Sequence, residues 1–509
     1  MTEQIPRSFS VTLADEAATA HLMADIALLI GKGDVITLSG DLGVGKTVAA
    51  RAMIRHLAGD PLLEVPSPTF TLVQAYDLAT LPVLHADLYR ISDERELEEL
   101  GLTQFRDDML TLVEWPERAP SALPIDRIDI SFSMQAGIGP DARFVVVKGF
   151  GAAAAKVARL GQLRQFLNKA GYRDAERRYM PGDASTRSYA RLMKNGVSTI
   201  LMNFPPRLDQ ALIYGGRSYL AAVHLAEELK PFVAIGQGLQ QRGFSTPLMH
   251  QIDLEAGFLI SEDLGVEGIV TGEPAAPIVP RYEVAVDALA KLHGLDLPAS
   301  LPVPGSSDYA IPAFDVEAML IEVSLLLDWY LPDRGVAVTD RMRDEFFALW
   351  QRLLTRILQE PPTWVIRDYH SPNLIWMEQR DGIAKVGILD FQDAVLGPAA
   401  YDVVSLAQDA RLDIPEEIEI GLLSRYVRTR RADGSDFEPA VFAATYAVMS
   451  AQRNTRLLGV FSRLNRRDHK PHYLRHQPRI WGYLSRSLAH PALAPIRGWY
   501  AEHLPAPTD

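Results

Sequence analysis

The chain carries two phosphate-handling motifs that no single fold uses together, and this sets its architecture before anything else does. The first is Gly40-Asp41-Leu42-Gly43-Val44-Gly45-Lys46-Thr47. It lies between a short apolar run, Val35–Ser39, and a helical pattern over Val48–Leu57, which is the strand–loop–helix setting a phosphate loop needs. The second is Arg367-Asp368-Tyr369-His370-Ser371-Pro372-Asn373, followed by Leu389-Asp390-Phe391. An aspartate, an asparagine five residues on and a second aspartate after an apolar strand are the base and metal ligands of kinase-type phosphoryl transfer. The sequence therefore predicts two ATP-using modules fused end to end, and 509 residues suit two or three domains.

Hydrophobic content of 48% supplies real cores rather than a disordered chain. The lack of cysteine excludes disulfides, thiolate metal sites and a cysteine nucleophile, and fits a cytoplasmic protein. Met1–Ser10 has no basic start followed by an apolar run, so no secretory signal is expected. No apolar stretch is long enough to span a bilayer; Asp402 interrupts the run Ala399–Ala407. The net charge of −13 is unevenly spread, residues 1–150 holding 12 basic and 22 acidic side chains. So acidic a first module is a poor nucleic-acid binder on its own, because phosphate contacts need clustered Lys and Arg. Any work it does on RNA would pass through a partner.

Leu81–His85 and Leu110–Glu114 read as buried strands, and Ile128–Phe132 and Arg143–Val147 as closing strands. Asp93–Leu100 is acid-rich and reads as a solvated helix face. The small residues from Gly149 to Ala155 mark a boundary. The predicted domains are 1–150, a linker over 151–158, and 159–509, the last with lobes over about 159–265 and 266–495. A helix is expected to begin near Leu160, strands over Tyr189–Met193 and Thr199–Met202, and a mostly helical pattern from about residue 280.

In the first module the backbone amides of Gly43, Val44, Gly45 and Lys46, next to Leu42, are expected to cradle phosphate oxygens at a helix start. Lys46 would reach the terminal phosphates of ATP, and the Thr47 hydroxyl would bind Mg²⁺. Glu114, at a strand end, is suited to complete that metal shell. Pro66-Ser67-Pro68-Thr69-Phe70-Thr71-Leu72-Val73, His85-Ala86-Asp87-Leu88-Tyr89-Arg90 and Leu112-Val113-Glu114-Trp115-Pro116-Glu117 follow in order. With the phosphate loop, these motifs resemble the TsaE family over roughly residues 8–150. TsaE proteins are the small ATPase subunits of the bacterial machinery that makes threonylcarbamoyladenosine in tRNA. The resemblance implies a P-loop α/β fold, partners of the TsaB and TsaD type, and contact with tRNA only through them. It places Asp87 and Thr69 beside the γ-phosphate and the attacking water, and Glu16 near the nucleotide base; an acidic residue at a helix start serves equally as a cap. Trp115 reads either as a stacking platform or as a core residue.

In the second module Asp368 is the expected base, and Asn373 and Asp390 the expected Mg²⁺ ligands. Gly182-Asp183-Ala184-Ser185 is suited to a phosphate-covering turn, and Glu262-Asp263-Leu264 to the hinge that hydrogen-bonds adenine. Asp390-Phe391-Gln392-Asp393-Ala394, Gly397-Pro398-Ala399-Ala400-Tyr401-Asp402 and Gln452-Arg453-Asn454 extend the pattern. Over about residues 160–490 the chain resembles the aminoglycoside-phosphotransferase superfamily, and within it the amino-sugar kinases of the AmgK type. That resemblance implies a two-lobed, α+β protein-kinase-like fold and phosphorylation of the anomeric hydroxyl of N-acetylmuramate or N-acetylglucosamine in cell-wall recycling. The same motifs also fit an aminoglycoside or choline kinase, or a nucleotide-binding scaffold without turnover.

Two departures bear on activity. Ile366 stands where kinases place a bracing histidine, and Met202 stands where they place a phosphate-binding lysine, leaving Arg187 or Arg191 as substitutes. Residues 451–490 hold nine Arg or Lys and one acid, Asp468, which reads either as a solvated helix face or as a binding site for an anionic substrate. Tyr401, Asp402 and Asp393 read as supports of the metal loop.

Overall fold

The computed structural model describes residues 7–91, 107–135, 137–181, 187–206, 214–433 and 436–507. The acid-rich stretch Asp93–Leu100 and the turn Gly182–Ser185 lie outside them. The chain divides into two compact units, one of residues 1–205 with 248–263 and one of residues 206–247 with 264–509.

The first unit contains two sheets. The larger is built from β1 (Arg7–Leu13), β2 (Val35–Ser39), β3 (Val73–Tyr76), β4 (Val83–Asp87), β5 (Leu110–Glu114), β6 (Arg127–Met134) and β7 (Arg143–Phe150), in the order β1-β7-β6-β2-β5-β4-β3. Its centre is parallel, β2 pairing with β5 and β6, and β4 with β5. A strand covered on both faces is buried along its length, and β2 is buried from Val35 to Leu38 and β5 throughout, Thr37, Thr111 and Glu114 included. Helix α1 (Glu16–Ala27) is capped by Asp15, which accepts from Ala18 N at 2.8 Å. Helix α2 (Lys46–Ala58) leaves the phosphate loop through Gly45 at φ 111° and ends on Gly59 in the left-handed region.

Residues 151–158, expected to be a linker, are not one. Helix α3 (Ala153–Lys169) begins two residues after Gly151 and runs unbroken. Its first half, with Ala153, Val157 and Leu160, belongs to the core of the larger sheet. Its second half, with Leu163, Phe166 and Leu167, belongs to a second core built with Leu192, Leu201, Phe258 and Ile260. Alanine is the strongest helix former, so the run from Ala152 to Ala155 favours a helix over a loop. The apolar spacing continues through it, and packing on both sides decides the outcome.

That second core lies under an antiparallel sheet of β8 (Glu176–Met180), β9 (Ser188–Lys194), β10 (Val197–Asn203), β11 (Met249–Asp253) and β12 (Phe258–Glu262), in the order β11-β12-β10-β9-β8. β9 and β10 are joined by Asn195-Gly196, both at positive φ, the two-residue hairpin turn that suits right-handed strand twist. Leu28, just past α1, is buried in this same core, so the two sheets share hydrophobic contacts within one unit.

The second unit is mainly helical: α4 (Lys230–Gln240), α5 (Val279–His293), α6 (Val316–Leu325), α7 (Asp340–Ile357), α8 (Ala400–Ala407), α9 (Glu416–Ala432), α10 (Pro439–Asp468), α11 (Gln477–Leu488) and α12 (Ala494–His503). Short strand pairs carry the chemistry-bearing loops: β13 (Thr363–Val365) with β16 (Val395–Gly397), and β14 (Leu374–Trp376) with β15 (Val386–Ile388). Helix α10 passes through the middle of the unit. At Gly459 a Cβ would lie 2.3 Å from the Leu325 carbonyl carbon, so only glycine allows α10 to approach α6 this closely. No helix among the described residues is long and apolar enough to cross a membrane.

Candidate functional site

The phosphate loop, the Ser67–Thr69 segment and the ends of β4 and β5 enclose a cavity of about 300 Å³, lined by Lys46, Thr47, Thr69, Asp87, Glu114 and Trp115 among others. Parallel pairing sets Asp87 opposite Glu114 at the ends of their strands. Thr47 Oγ1 donates to Glu114 Oε2 at 2.8 Å. Thr69 Oγ1 and Ser67 Oγ donate to Asp87 Oδ2 at 2.8 and 3.0 Å, and Tyr89 N donates to Asp87 Oδ1 at 3.0 Å. Asp87 is thus fixed by the Ser-Pro-Thr loop on one oxygen and by the chain beyond β4 on the other.

Lys46 folds back over the loop, donating to the carbonyls of Gly40 at 2.6 Å and Asp41 at 2.9 Å. Its Nζ also lies 3.5 Å from the centre of the Trp115 ring, a cation–π contact. Burial lowers the Lys46 pKa, against the opposing charges of Glu114, Glu117, Asp87 and Asp41. Gly43 and Gly45 sit at φ 76° and 111°, the left-handed backbone that turns successive amides toward one point. Gly40 cannot be replaced, since a Cβ there would lie 2.3 Å from the Phe132 carbonyl oxygen. Leu42 is 76% exposed and Val44 is buried. The donor set of a hydroxyl and a carboxylate is made of hard oxygens, and Thr47 with Glu114 could hold Mg²⁺.

Glu16 is not among the residues lining this cavity. It is exposed in the first turn of α1, and the neighbouring Asp15 makes the cap. Trp115 is half-buried at φ 60° and packs on Tyr89, with ring centres 4.9 Å apart. His85 is a contributor that sequence reasoning quoted but gave no role. It is fully buried, and its Nε2 lies 2.9 Å from Glu114 Oε1, the oxygen that Thr47 does not use. The signal was present: His85 and Asp87 are two apart on β4 and so share a face.

The second constellation lies in the helical unit. Asp368 follows β13, Asn373 ends a 3₁₀ turn before β14, and Asp390 follows β15 with φ 55°. The β14–β15 ladder, closed by Leu389 N donating to Asn373 O at 2.8 Å, brings Asn373 and Asp390 together. Asn373 Nδ2 donates to Asp368 O at 3.0 Å, which leaves its amide oxygen for a cation. Gln392 Nε2 donates to Asp390 Oδ1 at 3.0 Å and to Asp393 Oδ2 at 3.2 Å. Amide and carboxylate oxygens again fit Mg²⁺. The Asp368 carboxyl is pushed up by burial, but the nearby His370, with Nε2 at 3.7 Å, and the charges of Arg456 and Arg367 outweigh this and hold it well below the usual carboxylate range.

The bracing that Ile366 was expected to forfeit comes from elsewhere. Asp402, on α8, accepts from the backbone N–H of Ile366 at 2.6 Å and of Arg367 at 2.9 Å, one on each oxygen. Ile366 itself is buried, so an imidazole there is replaced by packing. Asp409 does the same for the far side of the loop, accepting from Ser371 N at 2.9 Å and Ser371 Oγ at 2.5 Å. Arg367, at φ 70°, is buried and pairs with the buried Glu322 on α6, which also accepts from Gln452 Nε2 at 2.9 Å.

In the first unit, Met202 is 2% exposed on β10, on the face opposite Leu201. Arg191 is occupied by Asp263, with Nε 2.7 Å from Oδ2, and Ser198 donates to the same oxygen. Asp263 is therefore held by β9 and β10. Glu262 N donates to Leu248 O at 2.8 Å, and the Glu262 carboxylate accepts from Leu248 N at 3.2 Å. Leu264 is buried in the second unit. Arg187 lies over the Phe204 ring at 5.6 Å. Gly182, Asp183, Ala184 and Ser185 fall outside the described residues.

A phosphate loop with a Thr–Glu pair and a clamped Asp–Asn–Asp loop define two ATP-using classes on one chain: a P-loop domain and a protein-kinase-like phosphotransferase. Comparison with known proteins divides the chain in the same way. The family model "Threonylcarbamoyl adenosine biosynthesis protein TsaE" matches residues 13–139, and "Phosphotransferase enzyme family" matches residues 177–440, just over half of the chain. An N-acetylmuramate/N-acetylglucosamine kinase from Caulobacter vibrioides is 34% identical over 356 residues, covering 67% of this chain and 96% of that protein. One from Pseudomonas putida is 32% identical, covering 63% of this chain and 86% of that protein. A TsaE protein from Rickettsia bellii is 34% identical over 122 residues, covering 24% of this chain and 84% of that protein. The chain belongs to the phosphotransferase enzyme family through its second region and to the TsaE family through its first. It is a fusion of two enzyme regions, both of families that use ATP.

Proposed function

We propose that the chain has two activities. Its TsaE-like region, about residues 1–150, is an ATPase serving threonylcarbamoyladenosine formation in tRNA, working with TsaB- and TsaD-type subunits and meeting tRNA through them. Its kinase-like region, about residues 159–509, transfers the γ-phosphoryl group of ATP to the anomeric hydroxyl of N-acetylmuramate or N-acetylglucosamine. The observation that carries the second activity is the doubly clamped catalytic loop, with Asp402 on the amides before Asp368 and Asp409 on the residue after His370. A loop that had lost its chemistry would have no need of buried carboxylates at both ends, each of which is costly unless fully hydrogen-bonded.

In the kinase region Asp368 is ionised at neutral pH and accepts a hydrogen bond from the acceptor hydroxyl, which sets the attacking oxygen in line. As the new O–P bond forms, that proton passes to Asp368, and the bond between γ-phosphorus and the bridging oxygen breaks with its electron pair leaving on ADP. Asn373 and Asp390 would hold Mg²⁺, which supplies charge neutralisation on the phosphate oxygens when bound. Gln392 keeps Asp390 oriented.

In the TsaE-like region the loop amides and Lys46 bind the phosphates, Lys46 exchanging its carbonyl partners for phosphate oxygens. Thr47 and Glu114 would hold the metal. Asp87, fixed by Thr69 and Ser67, is placed to orient a water for attack on the γ-phosphate.

The test uses the full chain and two substitutions. Asp368→Asn is expected to lower sugar phosphorylation at least about a thousandfold while partner-stimulated ATP hydrolysis is retained. Lys46→Ala is expected to do the reverse. Sugar phosphorylation at wild-type rate in Asp368→Asn, or partner-stimulated hydrolysis in Lys46→Ala, would refute the corresponding half.

A further inference from the structure

Helix α10 carries three polar side chains near the catalytic loop: the buried Gln452 and Arg453, and the partly buried Arg456. Two of them have protein partners. Gln452 donates to Glu322, and Arg456 donates from Nη1 to Tyr401 OH at 3.1 Å while its Nε lies 3.4 Å from the Glu322 carboxylate. Arg453 is different. It is only 3% exposed, yet its Nε and Nη1 reach no acceptor. A buried guanidinium without a partner is costly, and a fold keeps one where something else supplies the acceptor.

The surrounding carboxylates do not supply it. Both oxygens of Asp402 are used by the amides of Ile366 and Arg367. Asp409 takes the Ser371 amide and hydroxyl on one oxygen and Arg411 N on the other. Glu322 holds Arg367 and Gln452. Asp368 lies within charge reach of Arg453 without bonding to it. Arg453 therefore belongs to the same neighbourhood as the catalytic carboxylate, where the acceptor must place its hydroxyl within about 3 Å of Asp368. A second guanidinium, Arg463, stands further along α10 with its Nε likewise without an acceptor.

We propose that Arg453 is the recognition residue for an acidic substituent on the acceptor, so that the kinase region selects carboxylate-bearing amino sugars over neutral ones. The planar guanidinium matches a carboxylate in a two-point hydrogen bond, which a lysine or a water cannot reproduce. The inference rests on the amino-sugar kinase reading given above and adds which sugar is preferred and why. N-acetylmuramate carries a lactyl carboxylate and N-acetylglucosamine does not; the two otherwise share the reacting hydroxyl.

The experiment uses the full chain with saturating ATP and measures kcat/KM for N-acetylmuramate, its uncharged methyl ester and N-acetylglucosamine, in wild type, Arg453→Met and Arg453→Lys. In wild type the acid is expected to exceed its ester by about 10- to 100-fold, the range of a charge-assisted hydrogen bond. In Arg453→Met that preference for acid over ester disappears, and Arg453→Lys recovers only part of it. The wild-type comparison involves no substitution, so it decides the matter even if a variant fails to fold. Equal kcat/KM for acid and ester in wild type overturns the proposal. So does an equal loss on all three sugars in a folded Arg453→Met, because that would place Arg453 on the transferred phosphoryl group instead. If wild type phosphorylates none of the three sugars, the amino-sugar reading itself fails, and this outcome is distinct from the other two.

Discussion

Replacing Asp25 by Ala tests whether the TsaE-like sheet and the kinase-lobe sheet stand as one folded unit. Asp25 lies on α1 and is 1% exposed. Its carboxylate takes Arg164 of α3 at 2.6 Å and Arg177 of β8 at 2.9 Å, with a second Arg177 contact at 3.5 Å. Arg177 is itself buried, so the substitution leaves a guanidinium inside the protein with only the carbonyls of Arg173 and Ala175 for company. Removing one partner of a buried ion pair costs about 3–5 kcal/mol, because the remaining charge is stranded rather than because the pair was strong. Against a total of about 5–15 kcal/mol for a folded domain, that is a large fraction.

The assay is urea unfolding of the full chain, followed by tryptophan fluorescence and by amide hydrogen exchange. Asp25→Ala should lower the midpoint, and protection should fall in α1, in α3 and in β8–β9 together. Asp25→Leu combined with Arg177→Met should recover much of the loss, since an apolar replacement of both partners is often neutral. A loss below about 1 kcal/mol, or lost protection confined to α1 with β8 and β9 unchanged, would refute the reasoning.

Other expectations follow from the same geometry. His85→Ala should weaken Mg²⁺ affinity by about 10- to 100-fold, because it frees one oxygen of Glu114 from the partner that orients it. Calorimetric Mg²⁺ titration of the nucleotide-bound chain checks this, and unchanged affinity removes His85 from the role. Burial, with the charge of Arg177, holds the His56 pKa down to about 4, against 6.5 unperturbed. The unfolded chain then binds the extra proton first, so stability from this residue is complete above pH 6.5 and is lost as pH falls toward 4. Urea midpoints at pH 7.5, 6 and 5 should decline in that order, and His56→Gln should flatten the decline; a rise on acidification contradicts it. Gly40→Ala should abolish nucleotide binding or folding of the loop, since its Cβ has no room beside Phe132; ATP binding at wild-type affinity would show that the loop can shift.

Much of this was legible in the residues because the interactions concerned are short in sequence. The phosphate loop and the spacing from Asp368 to Asn373 both depend on backbone geometry within a few residues. Glu114 and Asp87 could be named from motifs, and strand pairing then set them side by side. His85 escaped because a buried histidine on a strand looks like core until its neighbour on β5 is known.

What the sequence determined about this protein is its two chemistries, since each is written as a local pattern of glycines, acids and amides that chance rarely assembles. What only the tertiary structure decided is how those patterns are held. Asp402 reaches back from α8 to two amides of the catalytic loop and makes good the missing histidine at Ile366. The stretch over 151–158 became the first turns of a helix shared by two cores rather than a linker. Asp25 and Arg177, 152 residues apart, meet in one buried ion cluster. Contacts of that separation have no local signature, because what selects them is burial, and burial is a property of the folded whole.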